Sequence, residues 1–246
     1  MQTILILGAT STIAQQVARR LAQDGKHLLL VARSAERLET LRSDLRVRGA
    51  ASVQTFAADL RDTARHSELM AWAKASSPAV DTVLLAYGSM QDQQDCEQRL
   101  DALVDELFTN FVSAAALLSA FANDFEQRRA GCIAVITSVA GDRGRRSNYI
   151  YGSAKGALSL FLQGLRSRLH PAGVPVITIK PGPVKTAMTD RIPNAHLFAE
   201  VDAVAMDICR TLEKRSPEIL YTPFFWRYIM AGIRAVPERI FKRLAI

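Results

Sequence analysis

Cysteine is scarce in this chain and badly placed for crosslinking. Cys96, Cys132 and Cys209 are odd in number and widely separated, which excludes a disulfide scaffold and a thiolate metal site and points to a reducing, cytoplasmic setting. Histidine is equally sparse. His27, His66, His170 and His196 stand in no metal-ligand spacing, so they read as surface or loop residues and no metal is expected. Long apolar runs are missing too: no stretch reaches about eighteen apolar residues free of charge, and the start MQTILILGAT has no basic segment ahead of its apolar run. Neither a membrane span nor a signal peptide is expected. The net charge of +7 comes without a finger, a basic helix or an aromatic-and-basic sheet pattern, so nucleic acid is not an expected partner.

What remains is a chain of 246 residues, 49% hydrophobic, enough for one domain with a continuous core. Apolar runs of strand length alternate with segments of helical period. Strands are expected at Thr3 to Leu7, His27 to Val31, Ser52 to Ala57, Thr82 to Leu85, Cys132 to Thr137, Val176 to Ile179 and Glu218 to Thr222. Helices are expected at Ile13 to Gln23, Leu38 to Val47, Thr63 to Ala75, Leu100 to Phe121 and Val201 to Leu212, with another running through Leu165 to Leu169. This order predicts a doubly wound α/β domain of the Rossmann type, with a predominantly parallel sheet of seven strands.

Two places carry chemistry. The first strand runs into GATSTIA, where Gly8 permits a sharp bend and the following backbone donors, ahead of a helix start, suit a diphosphate. The second strand ends in Ala32 and Arg33 rather than in the carboxylate that holds an unphosphorylated adenosine ribose. Arg33 offers planar donors to a 2′-phosphate; a solvated loop cation is the other reading. Farther on, Tyr151 and Lys155 stand four residues apart, on one face of a helix, so the ammonium can favour the phenolate. Tyr149 would point off that face. Ser138 follows a buried strand and lies at its carboxyl end, the ligand-binding edge of open α/β sheets. By spacing alone the tyrosine and lysine also suit a solvated helix surface.

Taken together, Ser138, Tyr151 and Lys155 at these spacings, preceded by an amino-terminal glycine turn, resemble the short-chain dehydrogenase/reductase family over Ile4 to about Thr186. The resemblance implies a catalytic set of Asn110, Ser138, Tyr151 and Lys155, with Asn110 in a locally distorted helix linked to the lysine. It implies nicotinamide-dinucleotide contacts at Gly8, Thr10, Ser11, Thr12, Ile13, Arg33, Asp59, Leu60, Ala86, Gly88, Tyr151, Lys155, Pro181, Gly182, Val184 and Thr186. NADP(H) is preferred on the strength of Arg33, with NAD(H) the alternative. Four positions depart from the family's pattern: Thr12 and Ala14 replace glycines of the first turn, and Ala86 and Tyr87 replace an asparagine and an alanine. The wording GRRSNYIYGSAKGALSLFLQGLRSRL and ITIKPGPVKTAMT is similar to one branch, the reductases of decaprenylphosphoryl-ribose 2-epimerisation, which act on a lipid-linked 2-keto pentose. That branch implies a lipid-linked sugar substrate, a flavin-dependent oxidase as partner and a role in cell-envelope polysaccharide synthesis. A reductase of acyl or small carbonyl compounds, and a nucleotide-binding protein without catalysis, are the alternatives.

Residues 187 to 199, with Arg191, Pro193 and Asn194, lack clean period and read as a substrate lid. Residues 1 to 222 form the catalytic domain in this reading, and residues 223 to 246 an amphipathic extension of it. The tail places Phe225, Ile229, Ile233, Val236, Ile240 and Leu244 at helical steps, and Pro237 is expected to divide the helix. Five basic residues against one acid leave the tail at +4. Contact with an anionic membrane at the inner face of the cytoplasmic membrane, packing on the core and pairing in a homo-oligomer are the three uses such a face can have.

Overall fold

The computed structural model describes residues 2–76, 79–190 and 197–244. Its sheet has seven parallel strands in the order β3-β2-β1-β4-β5-β6-β7: β1 Thr3–Leu7, β2 His27–Ala32, β3 Ser52–Ala57, β4 Thr82–Leu85, β5 Ile133–Ile136, β6 Val176–Pro181 and β7 Ile219–Thr222. The central strand β1 is buried at all five positions, because helices cover both faces of a parallel sheet. Alternation along it sorts the core. Ile4 and Ile6 join Leu28 and Leu30 beneath α1 (Thr12–Gln23), α2 (Ala35–Val47) and a later helix, Val201–Lys214. Leu5 and Leu7 join Leu29, Val31, Val83 and Leu85 beneath α3 (His66–Ser76) and two long helices, Ser113–Arg128 and Tyr149–Leu169. The strand order reverses direction between β1 and β4, so the loops after these strands part and leave a crevice at their carboxyl ends.

Helix starts lie earlier than hydrophobic period alone places them, because polar caps extend them. Ser11 accepts from Ala14 N and opens α1, and Ser34 accepts from Arg37 N and opens α2 three residues before Leu38. Beyond β4 come α4 (Gln93–Gln98) and α5 (Leu100–Leu107). A π-helical turn at Phe108–Val112 joins α5 to α6 (Ser113–Arg128), followed by α7 (Tyr149–Leu169) and α8 (Val201–Lys214). The continuous helical stretch 100–128 is long and apolar enough by composition to cross a bilayer, but Leu117, Leu118, Phe121 and Phe125 pack against the sheet. His66, expected at the surface, is buried, its Nε2 lying 2.9 Å from the Leu60 carbonyl. The tail forms α9 (Trp226–Ala235) and α10 (Glu238–Phe241), and Pro237 separates them.

Candidate active site

At the first turn, Gly8 has φ of +85°, and a Cβ there would meet Tyr87 Cβ at 2.6 Å and Tyr87 N at 2.8 Å. Conformation and space both demand glycine. Gly8 and Ala9 donate to the Val31 carbonyl, tying the turn to β2. Thr12, the departure from the family pattern, sits as the first residue of α1 in ordinary helical backbone and is exposed. Its side chain therefore points outward without strain. Ile13 packs on the core, and the Thr10 carbonyl accepts from Gln15 Nε2 at 2.9 Å and Arg37 Nη2 at 3.1 Å. Arg33 is exposed beyond β2. Arg37, one turn into α2, is a second cation that the sequence reading passed over; the Ser34 cap, with Arg37 three residues on, was the signal. Across the turn, Asp59 is exposed and Leu60 buried; Asp59 Oδ1 accepts from Arg61 N.

The substitution at Ala86 and Tyr87 is compensated. Ala86 N donates to the Leu7 carbonyl, and the Tyr87 hydroxyl shares a 3.0 Å hydrogen bond with Ser113 Oγ, so β4 remains tied to the neighbouring helix. Burial raises the Tyr87 phenol well above its usual value. Gly88 follows at a point where three elements converge. A Cβ on it would lie 2.5 Å from Asn110 Oδ1 and 3.0 Å from Lys155 Nζ.

Asn110 is the middle residue of the π-helical turn and is 1% exposed. The distortion expected from the family resemblance is present, and it turns the amide toward the β4 loop. Nδ2 donates to Glu106 Oε1 at 2.9 Å and lies within 3.2 Å of the Glu106 and Ser89 carbonyls and of Ser89 Oγ. Oδ1 accepts from Ser89 N.

Ser138 leaves β5 in extended conformation. Thr137 fixes the strand end by donating its N–H and its hydroxyl to the Ile179 carbonyl on β6. Ala140 N donates to Ser138 Oγ, which leaves the serine proton free to engage the Tyr151 hydroxyl. A glycine seam holds this turn to α7. Cβ atoms at Gly141, Gly152 and Gly156 would come within 2.6 to 3.0 Å of backbone across the contact, so only glycine lets the two segments approach this closely. Tyr151 and Lys155 follow on that helix, with Nζ 5.8 Å from the phenol ring centroid. Tyr149 is 42% exposed and points away.

The electrostatics differ from the simple pairing that spacing implies. Burial pushes the Tyr151 phenol up to about 12, the Ser138 hydrogen bond opposes this, and the Glu106 carboxylate adds to it. Burial brings the Lys155 ammonium down to about 8, against a pull upward from Glu106. Desolvation, not the lysine, dominates the tyrosine in the free protein. Glu106, absent from the sequence reading, is 1% exposed.

On the far side, Pro181 ends β6 and Gly182 N donates to the Thr222 carbonyl. A Cβ at Gly182 would strike the Trp226 indole at 2.0 Å, so the first turn of α9 lies directly against this loop. Val184 is buried and bridges to Ala199, and Thr186 N donates to Thr189 Oγ1. Residues 191–196 of the expected lid, including Arg191, Pro193, Asn194 and His196, lie outside the described residues. The tail is anchored beside the serine: Trp226 and Met230 cluster with Val139. Arg143 donates to the Arg234 and Val236 carbonyls, pairs with Glu238 at 2.7 Å and lies 4.1 Å from the Phe241 ring centroid.

The structure thus brings Asn110 and Lys155 together at Gly88, sets Tyr151 beside Lys155 and in hydrogen-bond reach of Ser138, and sets the glycine turn, Arg33 and Asp59 on the same sheet edge. The family model for short chain dehydrogenases matches residues 2–196. An uncharacterized oxidoreductase of Mycobacterium tuberculosis is 34% identical over 241 residues, covering 98% of this chain and 96% of that one. Another from Streptomyces coelicolor is 36% identical over 249 residues, covering 100% and 96%. Among solved structures, a short-chain dehydrogenase from Sphingobium yanoikuyae in complex with NADPH superposes with a TM-score of 0.82 at 26% identity, over 95% of this chain and 93% of that one. One from Burkholderia cenocepacia in complex with NADP gives 0.82 at 20% identity, over the whole of both chains, and shows the same fold. Match, fold and site agree: this chain belongs to the short-chain dehydrogenase/reductase family and is one of its NAD(P)-dependent oxidoreductases.

Proposed function

We propose that the enzyme reduces a keto group with NADP(H), on a lipid-linked sugar. The observation that carries the chemistry is the linked set of Ser138, Tyr151, Lys155 and Asn110: serine bonded to tyrosine, tyrosine beside lysine, and lysine meeting the asparagine at Gly88. The nucleotide edge fits a nicotinamide dinucleotide: the positive-φ Gly8 turn has no room for a side chain, and a capped helix start follows it. Gly8, Thr10, Ser11, Thr12 and Ile13 would cradle the diphosphate, Asp59 and Leu60 the adenine, and Ala86, Gly88, Pro181, Gly182, Val184 and Thr186 the nicotinamide half. Arg33 beyond β2, with no carboxylate at that strand end and Arg37 nearby, supports the 2′-phosphate form. So does the NADPH complex of the Sphingobium relative.

A nicotinamide dinucleotide held on this edge would supply the hydride for the carbonyl carbon. Ser138 donates a hydrogen bond to the carbonyl oxygen and polarises it. Tyr151 gives its proton to the oxygen as negative charge develops there, and Lys155 stabilises the phenolate left behind. Asn110 holds an acceptor toward the lysine. One keto group, one hydride and one proton yield one alcohol.

A hydroxylated or anionic substrate is favoured over a plain acyl one by the orphaned polar atoms. Arg145 Nε, Asn148 Oδ1 and Trp226 Nε1 are buried without hydrogen-bond partners among the described residues, and all three belong to segments flanking Ser138, Tyr151 or Gly182. Burial lowers the Arg145 guanidinium, with only Asp142 opposing it, as suits a cation kept for a substrate anion. A lipid chain has a place to rest on the tail itself: Phe224 is 73% and Tyr228 71% exposed, with Ile240 and Leu244 farther along. This reading puts the enzyme at the inner face of the cytoplasmic membrane, next to a flavin-dependent oxidase that makes the keto sugar. Exposed Leu100, Val104, Val112 and Leu160 favour a homo-oligomer.

The test is to offer an extract of polyprenyl-phosphate sugars with each cofactor and look by mass for the gain of two hydrogens. Gain with NADPH is expected. Gain with NADH alone would overturn the Arg33 reading, and none with either would overturn the substrate class.

A further inference from the structure

Carboxylates are almost never fully buried unless something holds them there. Glu106 is 1% exposed, and its partners all belong to the catalytic centre or its rim. Oε2 accepts from Ser89 Oγ at 2.6 Å and from Gln91 N at 3.4 Å, and Oε1 accepts from Asn110 Nδ2 at 2.9 Å. An asparagine amide can present either end to a neighbour, and an ammonium can use only an acceptor. With Nδ2 taken by Glu106 and Ser89, Oδ1 is the end left facing the Gly88 α-carbon and the nearby Lys155 Nζ. We propose that Glu106 is a positioning residue of this reductase: its carboxylate fixes the Asn110 amide with the oxygen toward Lys155 and supplies the buried ammonium with a counter-charge.

The surrounding charges are consistent with this. Lys155 and Tyr151 face Glu106 from α7, and Cys96 faces it from α4; each feels its charge. The adjacent Asp105 on α5 is engaged by Arg61 and by Gln91 Nε2, outside the centre. Burial raises the Glu106 carboxyl, and the Ser89 hydroxyl, the Gln91 amide and the lysine oppose that rise. The burial that weakens the ammonium of Lys155 is opposed by Glu106; a neutral side chain at 106 would leave burial unopposed.

The inference rests on the reductase reading, so its first test needs no turnover. Lysines carrying 13C at Cε are titrated by NMR in the wild type and in Glu106→Gln, with Lys155→Met assigning the resonance. Glutamine keeps the size and an acceptor but removes the charge. The Lys155 midpoint should fall by about one pH unit; an unchanged midpoint overturns the counter-charge. With any carbonyl substrate the enzyme accepts, kcat of Glu106→Gln should drop more at pH 8 than at pH 6.5 while the KM for NADPH stays within about twofold, and Glu106→Asp should recover part of the loss. Should glutamine prevent folding, Ser89→Ala leaves the carboxylate but removes its 2.6 Å donor. The acid limb of kcat should then move to higher pH, and a profile identical to wild type would refute the proposal.

Discussion

Placing one methyl group on Gly88 tests whether the catalytic centre is as tightly assembled as its distances imply. The added Cβ of Gly88→Ala would lie 2.5 Å from Asn110 Oδ1 and 3.0 Å from Lys155 Nζ. The lysine is the end of a flexible chain and can withdraw. The amide cannot, because Ser89 and Glu106 hold it through Nδ2 and Ser89 N through Oδ1, and the π-helical turn fixes its backbone. Gly88 itself needs no unusual φ, so the cost is overpacking and a displaced amide, about 2 kcal/mol. For a chain of this size that lowers Tm by roughly 4–8 °C. The effect on chemistry should be larger: displacing the groups on either side of the proton donor by a fraction of an ångström to one ångström costs on the order of 10²-fold in kcat. Stopped-flow NADPH oxidation, beside calorimetry, measures both. A Gly88→Ala enzyme with wild-type kcat and Tm would show that Asn110 and Lys155 do not meet at this point.

Arg33→Ala should weaken NADPH about ten- to hundredfold and leave NADH within about twofold, since a charge-assisted hydrogen bond contributes roughly 1.5–3 kcal/mol; equal loss for both in fluorescence titrations would remove Arg33 from the phosphate site. Asp142 pairs with Lys180 at 2.5 Å, with side chains 3% and 8% exposed, and also accepts from the Tyr221 hydroxyl. Asp142→Ala would strand a buried ammonium and should cost about 3–5 kcal/mol in urea unfolding, so a loss under about 1 kcal/mol would count against the pair. Lys155 titrates near 8 when folded and near 10.4 unfolded. Between those values the unfolded chain holds the extra proton, so stability from this group rises with pH, and its cost is fully present below about 8. Relative to Lys155→Met, wild-type stability should climb by up to about 1.4 kcal/mol per unit from pH 8 to 10; urea midpoints that track each other would refute the buried-lysine account. Removal of residues after Thr222 should lower binding to anionic vesicles and turnover of long-chain substrate more than turnover of a short soluble analogue, and equal losses without a change in vesicle binding would assign the tail to folding.

The sheet was legible because its strands are apolar runs bounded by turn residues: β1, β3 and β4 have the limits that hydrophobicity alone assigns. The Tyr151 and Lys155 pair was legible because four residues is one helical turn. Glu106 was not, since a glutamate in a helix of alternating acids and leucines reads as a solvated residue; in the fold it shares the buried face of α5 with Ala102, and the π-helical turn that follows holds Asn110 against it. The tyrosine's titration was misread for a related reason. Spacing reports which charges are near, whereas desolvation depends on everything packed around them. The role of Tyr87 in replacing the missing asparagine bond needed the position of Ser113, twenty-six residues away in sequence.

The Arg143 clamp joins the part of the chain that the family model covers to the part beyond it. Residues 2–196 match the family model, and the tail that Arg143 grips through two carbonyls, Glu238 and Phe241 lies beyond them. Arg143 is also only five residues after Ser138. A change in the tail therefore reaches the rim of the catalytic centre without touching the residues that perform the chemistry. For redesign, this makes the tail and residues 143–148 the segments to exchange together as a cassette; grafting either alone would break the clamp that registers one to the other.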